Sequence, residues 1–185
     1  MKNQSVAALT SSTTAGARQS SNKLDSALAV AALQCCSSKL SEHFTLAEMC
    51  KTKANLENVP NEAQVKNLKR LCGWLEELRR RWNNIYGDGN DPIIINSGYR
   101  SEAVNKAVGG VKGSNHLTGC AVDIRVYGIE QLIRYATILL DISDLNNEDF
   151  DELLIERSPK GGYWLHFAVR PPSQENRRKV RFIQT

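Results

Sequence analysis

Two histidines and an aspartate have the residue types and spacing that a catalytic metal needs. The segment Ser114-Asn115-His116-Leu117-Thr118-Gly119-Cys120-Ala121-Val122-Asp123 sets His116 and Asp123 seven residues apart, and His166 closes Gly161-Gly162-Tyr163-Trp164-Leu165-His166-Phe167. Two imidazoles and one carboxylate make three N/O ligands, which leaves a fourth tetrahedral position for water. The chemistry such a set suits is metal-assisted hydrolysis: the ion acidifies a water and polarises a carbonyl, and a nearby carboxylate handles the proton.

Asp151, Glu152 and Glu156 all precede the turn into His166, and each is a candidate for that carboxylate. Glu156 is the choice, because it ends the apolar run Leu153-Leu154-Ile155 on the strand expected to lie beside His166. The plainer reading, a solvated carboxylate at a strand end, has equal weight on spacing alone. Asp123 lies between Val122 and Ile124 in an apolar strand, where an unpaired carboxylate is costly, so it needs a metal or a cation. Arg125, on the same strand face, is the ordinary partner. Arg100 could grip a substrate carboxylate bidentately, or simply pair with Glu102. Gly119 allows the chain to fold back so that His116 meets Asp123.

These side chains need elements to hold them. Thr45-Leu46-Ala47-Glu48 predicts a capped short helix. Pro60-Asn61-Glu62-Ala63-Gln64 opens a second helix, whose stripe of Val65, Leu68, Leu71, Cys72, Leu75, Leu78 and Trp82 faces a core. Ile93–Ile95 reads as a short strand, and Ser101–Val108 as a helix broken by Gly109-Gly110. Ala121–Val126 reads as a strand. Ile129, Leu132, Ile133, Ala136, Leu139 and Leu140 mark a long helix. Asp151–Ile155 and Trp164–Val169 are two more strands, and the period of two puts His166 on the face of Trp164 and Ala168. The order implies an α+β fold: a small, mostly antiparallel sheet with helices packed on one side and a single zinc site in a cleft on the sheet.

The chain has 185 residues, 41% hydrophobic and 24% charged, enough for one domain with a real core. Residues 1–40 read as a disordered or weakly structured tail, with a short helix possible at Leu24–Leu33, and residues 41–185 as the folded domain. No apolar run approaches the ~20 residues of a membrane span. Ala27–Leu33 makes a poor signal peptide, since Asp25 precedes it and Gln34-Cys35 follows. The five cysteines, an odd set without a CxxC pair, argue against a disulfide framework and a zinc ribbon; Cys72 and Cys120 read as small buried hydrophobes. A net charge of +4, with clusters at Arg79-Arg80-Arg81 and Arg177-Arg178-Lys179 plus Arg181, allows an anionic partner. No stacking motif or recognition helix accompanies these clusters. Nucleic acid is therefore not expected, and a solvated basic face is the simpler reading.

The residues resemble the zinc D-Ala-D-Ala carboxypeptidases of peptidase family M15. That family's S-x-H-x-x-G-x-A-x-D followed by W-x-H matches Ser114–Asp123 and Trp164–His166. Ser97-Gly98-Tyr99-Arg100, Asn105–Gly110 and Phe44–Met49 are similar to the phage and Bacteroidetes-type members, so the resemblance spans roughly Ser41 to Arg170. It implies one Zn2+ held by His116, Asp123 and His166, Arg100 on a substrate carboxylate, Ser114 near the scissile bond, and Trp164 walling the cleft. The family's base often stands three residues before the last histidine, where this chain has Tyr163, which cannot act as one. Glu156 then inherits the role by a hedgehog-like arrangement. The implied function is a metallopeptidase cutting peptidoglycan stem or cross-link peptides, as a D,D-carboxypeptidase or an endolysin-type endopeptidase. The alternative is a non-catalytic zinc-containing wall- or protein-binding module of the same fold. A wall hydrolase without a signal peptide implies a phage or prophage lysis or virion protein, made in the cytoplasm and acting on the bacterial wall. A monomer is the favoured state.

Overall fold

The computed structural model describes residues 38–184. Residues 1–37 of the expected tail lie outside the described residues, as do the possible helix at Leu24–Leu33 and Cys35 and Cys36. Among the described residues Lys39 bridges to Thr45, and Leu40 is buried.

The elements in chain order are α1 (Leu46–Met49), α2 (Glu62–Ile85), β1 (Ile95–Ser97), α3 (Glu102–Ala107), a 3-10 helix (Asn115–Thr118), β2 (Ala121–Arg125), α4 (Ile129–Asn146), β3 (Glu152–Arg157), β4 (Tyr163–Ala168) and β5 (Lys179–Gln184). The α+β reading holds. The sheet runs β1-β2-β4-β3-β5 and is mixed rather than mostly antiparallel, because β5 joins the edge parallel to β3. That strand was not anticipated. Basic and apolar residues alternate in its Lys179-Val180-Arg181-Phe182.

α2 starts where the sequence says it should. The Asn61 side chain accepts from the Gln64 amide and the Gln64 side chain accepts from the Asn61 amide, a reciprocal cap that satisfies two donors otherwise left open. Its stripe of Leu68, Leu71, Cys72, Leu75 and Leu78 is fully buried. Each fully buried leucine there contributes roughly 1.5–3 kcal/mol relative to exposure. The stripe packs on the sheet face carrying Phe167, whose ring lies 5.3 Å from Trp74 and 5.7 Å from Phe150. α4 turns Leu132, Tyr135, Ala136, Leu139 and Ile142 inward, while Ile129 and Ile133 stay about half exposed, so its buried stripe is rotated from the expected one.

With both long helices on one side of the sheet, its other face is left for the site. Among the described residues no helix is long and apolar enough to cross a membrane.

Candidate metal centre

Strand register brings the three candidate ligands together. Asp123 on β2 lies directly opposite His166 on β4, and Ser97 of β1 pairs with Asp123 on its other flank. Cross-strand partners share a sheet face, so Asp123 and His166 both point away from the helices. His116 arrives from the 3-10 helix. Ser114 caps that helix, its Oγ accepting from the His116 amide at 3.3 Å, and Gly119 ends it in the left-handed region at φ 70°. The helix is fastened to α2: Gln64 Nε2 donates to the Leu117 carbonyl and Asn67 Nδ2 to that of Thr118, each at 2.9 Å.

The Asp123 Oδ1 stands 3.2 Å from His116 Nε2 and 2.9 Å from His166 Nδ1. One ligand atom from each of the three residues lies within 4.8 Å of the others, and all three residues are buried. Tetrahedral ligands at 2.0–2.1 Å from zinc stand about 3.4 Å apart, so the spacing suits one small cation. His116 is oriented for it. Its Nδ1 lies 2.6 Å from the Gly98 carbonyl, which accepts a hydrogen bond from the Nδ1–H and leaves the Nε2 lone pair facing Asp123. The donor set, two imidazoles and a carboxylate with one histidine tautomer fixed by the main chain, fits zinc.

The second oxygen of Asp123 is also used. Arg100 Nη2 donates to Oδ2, while Arg100 Nε donates to Ser97 Oγ at 2.7 Å. The cation partner of Asp123 is thus Arg100 and not Arg125, which reaches Asn96 instead, and Arg100 does not seek Glu102.

Charge follows from these contacts. Burial pushes the His116 imidazole down. Burial also opposes ionisation of Asp123, but His116 and His166 overcome it and hold the carboxyl well below the usual range. His166 is buried too, yet its hydrogen bonds to Asp123 and Glu152 raise it to about 9.

A cleft of about 710 Å³ opens over this face. Arg100, Ser114, Glu156 and Trp164 line it along with the three ligand candidates. Glu156 faces Trp164 across β3 and β4, one step along from the Leu154–His166 pair. Desolvation raises its pKa, partly offset by the charge on His166 and by a hydrogen bond from the Trp164 side chain. Tyr163 caps the hairpin and stacks near Arg157 rather than entering the cleft.

Three features escaped the sequence reading. Glu152, passed over in favour of Glu156, stands beside His166; the strand period places it on the same face, four residues before Glu156. Asp151 is completely buried and receives three hydrogen bonds from Arg177, one from its amide and two from its guanidinium, one from Asn115, and an ion pair with Arg170. Finally, the basic clusters are largely exposed, as expected, but carry ion pairs that spacing did not show: Arg80 and Arg81 bind Glu77, and Lys179 binds Glu152.

The Peptidase M15 family model matches residues 42–142. The matched stretch contains Arg100, Ser114, His116 and Asp123; His166 and Glu156 lie beyond it and join through strand pairing. No curated protein matches the chain.

Proposed function

We infer the reaction from one premise: this chain belongs to the peptidase M15 family. Members of that family are zinc-dependent, and the His116–Asp123–His166 pocket has the donors and spacing for one Zn2+. We propose that residues 41–185 form a zinc metallopeptidase domain that cuts peptidoglycan stem or cross-link peptides. It acts as a D,D-carboxypeptidase or an endolysin-type endopeptidase, on the bacterial wall, in the service of phage or prophage lysis or a virion. The motif resemblance supports the wall substrate, and the net positive charge suits an anionic polymer.

Asp123 and the two imidazoles would hold a zinc ion, with Gly98 and Arg100 orienting them; bound there, it would supply Lewis acidity to a carbonyl and acidify a water. Glu156 takes the proton of the attacking water on its carboxylate and returns it to the leaving amine nitrogen. Arg100 holds a substrate carboxylate with the part of its guanidinium that Asp123 and Ser97 leave open. Ser114 touches the peptide near the scissile bond, and Trp164 forms a wall of the cleft.

The observation that carries this reading is the meeting of three donors from separate stretches of chain in a buried pocket that opens onto a cleft. Incubating the protein with peptidoglycan, with and without a chelator, and identifying new termini by mass spectrometry tests it. A new amino group on diaminopimelate or D-Glu marks an endopeptidase; released D-Ala marks a carboxypeptidase. The absence of any chelator-sensitive product from every wall type would refute the enzymatic reading. Tyr163, standing where the family often has an acid, favours the second reading: a zinc-containing wall- or protein-binding module without turnover.

A further inference from the structure

We propose that Glu152 is a positioning residue that holds the His166 ring so that its Nδ1 faces the metal. The inference rests on the zinc reading above and concerns how this chain keeps its third ligand in place.

His166 has two ring nitrogens with different surroundings. Nδ1 lies 2.9 Å from Asp123 Oδ1, on the ligand side. Nε2 points the opposite way, and Glu152 Oε2 stands 3.6 Å from it. An imidazole that ligates through Nδ1 must carry its proton on Nε2. A carboxylate beside Nε2 favours that tautomer, resists rotation of the ring and makes the ligating nitrogen more basic. For His116 the Gly98 carbonyl occupies the equivalent place on the far nitrogen. Each imidazole thus has an acceptor behind it, one from the main chain and one from a side chain.

Glu152 is itself held on both oxygens. Oε1 accepts from Lys179 Nζ at 2.9 Å and pairs with Arg177 Nη2 at 3.0 Å. Oε2 accepts from Asn115 Nδ2 at 3.0 Å. Asn115 immediately precedes His116, so a single carboxylate braces the segments that carry both histidines.

The test is zinc affinity of the full chain by chelator competition, together with the visible spectrum of the Co2+-substituted protein. Glu152→Ala is expected to bind zinc about 10–100-fold more weakly, the range for loss of an outer partner of a ligating histidine, with an altered Co2+ spectrum. Lys179→Met removes a partner of Glu152 without touching His166 and is expected to stay within about twofold of the natural protein. Should Glu152→Ala fail to fold, Glu152→Gln keeps the volume, and a several-fold loss with a shifted spectrum is expected. Unchanged zinc affinity and spectrum in the folded Glu152 variants would overturn the proposal, as would an equal loss in Lys179→Met. If the natural chain binds no zinc, the metal reading fails and takes this inference with it; if the natural chain binds zinc and the Glu152 variants match it, only the inference fails.

Discussion

Asp123 serves three neighbours with two oxygens. Oδ1 faces both imidazoles and Oδ2 receives Arg100, so its geometry is set from three sides before any metal arrives. Glu156 stands apart from this set, on the same sheet face but without a contact to Asp123 that would tie it to metal binding. The two roles are therefore separable. Glu156→Gln is expected to retain its zinc while turnover falls by about 10²–10⁴, the usual worth of a general base. Metal content and peptidoglycan digestion measured on one preparation check this. Undiminished turnover would move the base elsewhere, and loss of zinc would make Glu156 a ligand.

At the scale of elements, the 3-10 helix carrying His116 is held where α2 and the β1 loop leave almost no space. A Cβ at Gly119 would meet the Gln64 carbonyl oxygen at 2.6 Å, and Gly119 already has a positive φ. A Cβ at Gly98 would meet the Met49 carbonyl oxygen at 2.4 Å, on the residue whose own carbonyl orients His116. Gly119→Ala is expected to cost about 1–3 kcal/mol from backbone strain alone. Gly98→Ala is expected to weaken zinc binding as well as stability, because the displaced carbonyl turns His116. Denaturant unfolding and zinc titration separate the two effects; a Gly98→Ala protein with normal zinc affinity would remove Gly98 from the site.

The sequence made part of this visible. α2 was legible because its reciprocal cap and 3.6-residue stripe agree, and the ligands because strand alternation set His166 on the polar side of its strand. β1 was placed two residues early: Ile93 is buried like a strand residue, and apolar runs do not say where pairing begins. β5 was hidden because Arg177 and Lys179 look like surface charge until Asp151 and Glu152 are brought beneath them. Pairing between distant carboxylates and guanidinium groups leaves no local periodicity to read.

At the scale of the described domain, the sheet separates an apolar helix layer on one side from the cleft on the other. β5 and the residues before it lie outside the family match, yet they close the cleft edge with Lys179 and Ile183 and neutralise the buried Asp151. Several carboxyls are held below their ordinary range by such contacts, Glu77 to about 2 by Arg80 and Arg81, and Asp151 by Arg177 and Asn115 against its burial. Depressed carboxyl pKa values stabilise the fold above the unfolded value near 4 and lose that contribution as pH falls toward the folded one. The melting temperature of the chelated protein is therefore expected to fall steadily below about pH 4. Thermal melts across that range check it, and a melting temperature unchanged down to pH 2 would show that these pairs contribute nothing.

The most direct measurement of the central claim is the zinc content of the purified chain beside that of Asp123→Ala. One zinc per chain in the natural protein, removed by chelator, restored by dialysis and absent from Asp123→Ala, is the expected result. A natural chain that takes up no zinc, or an Asp123→Ala chain that holds it equally well, would contradict it.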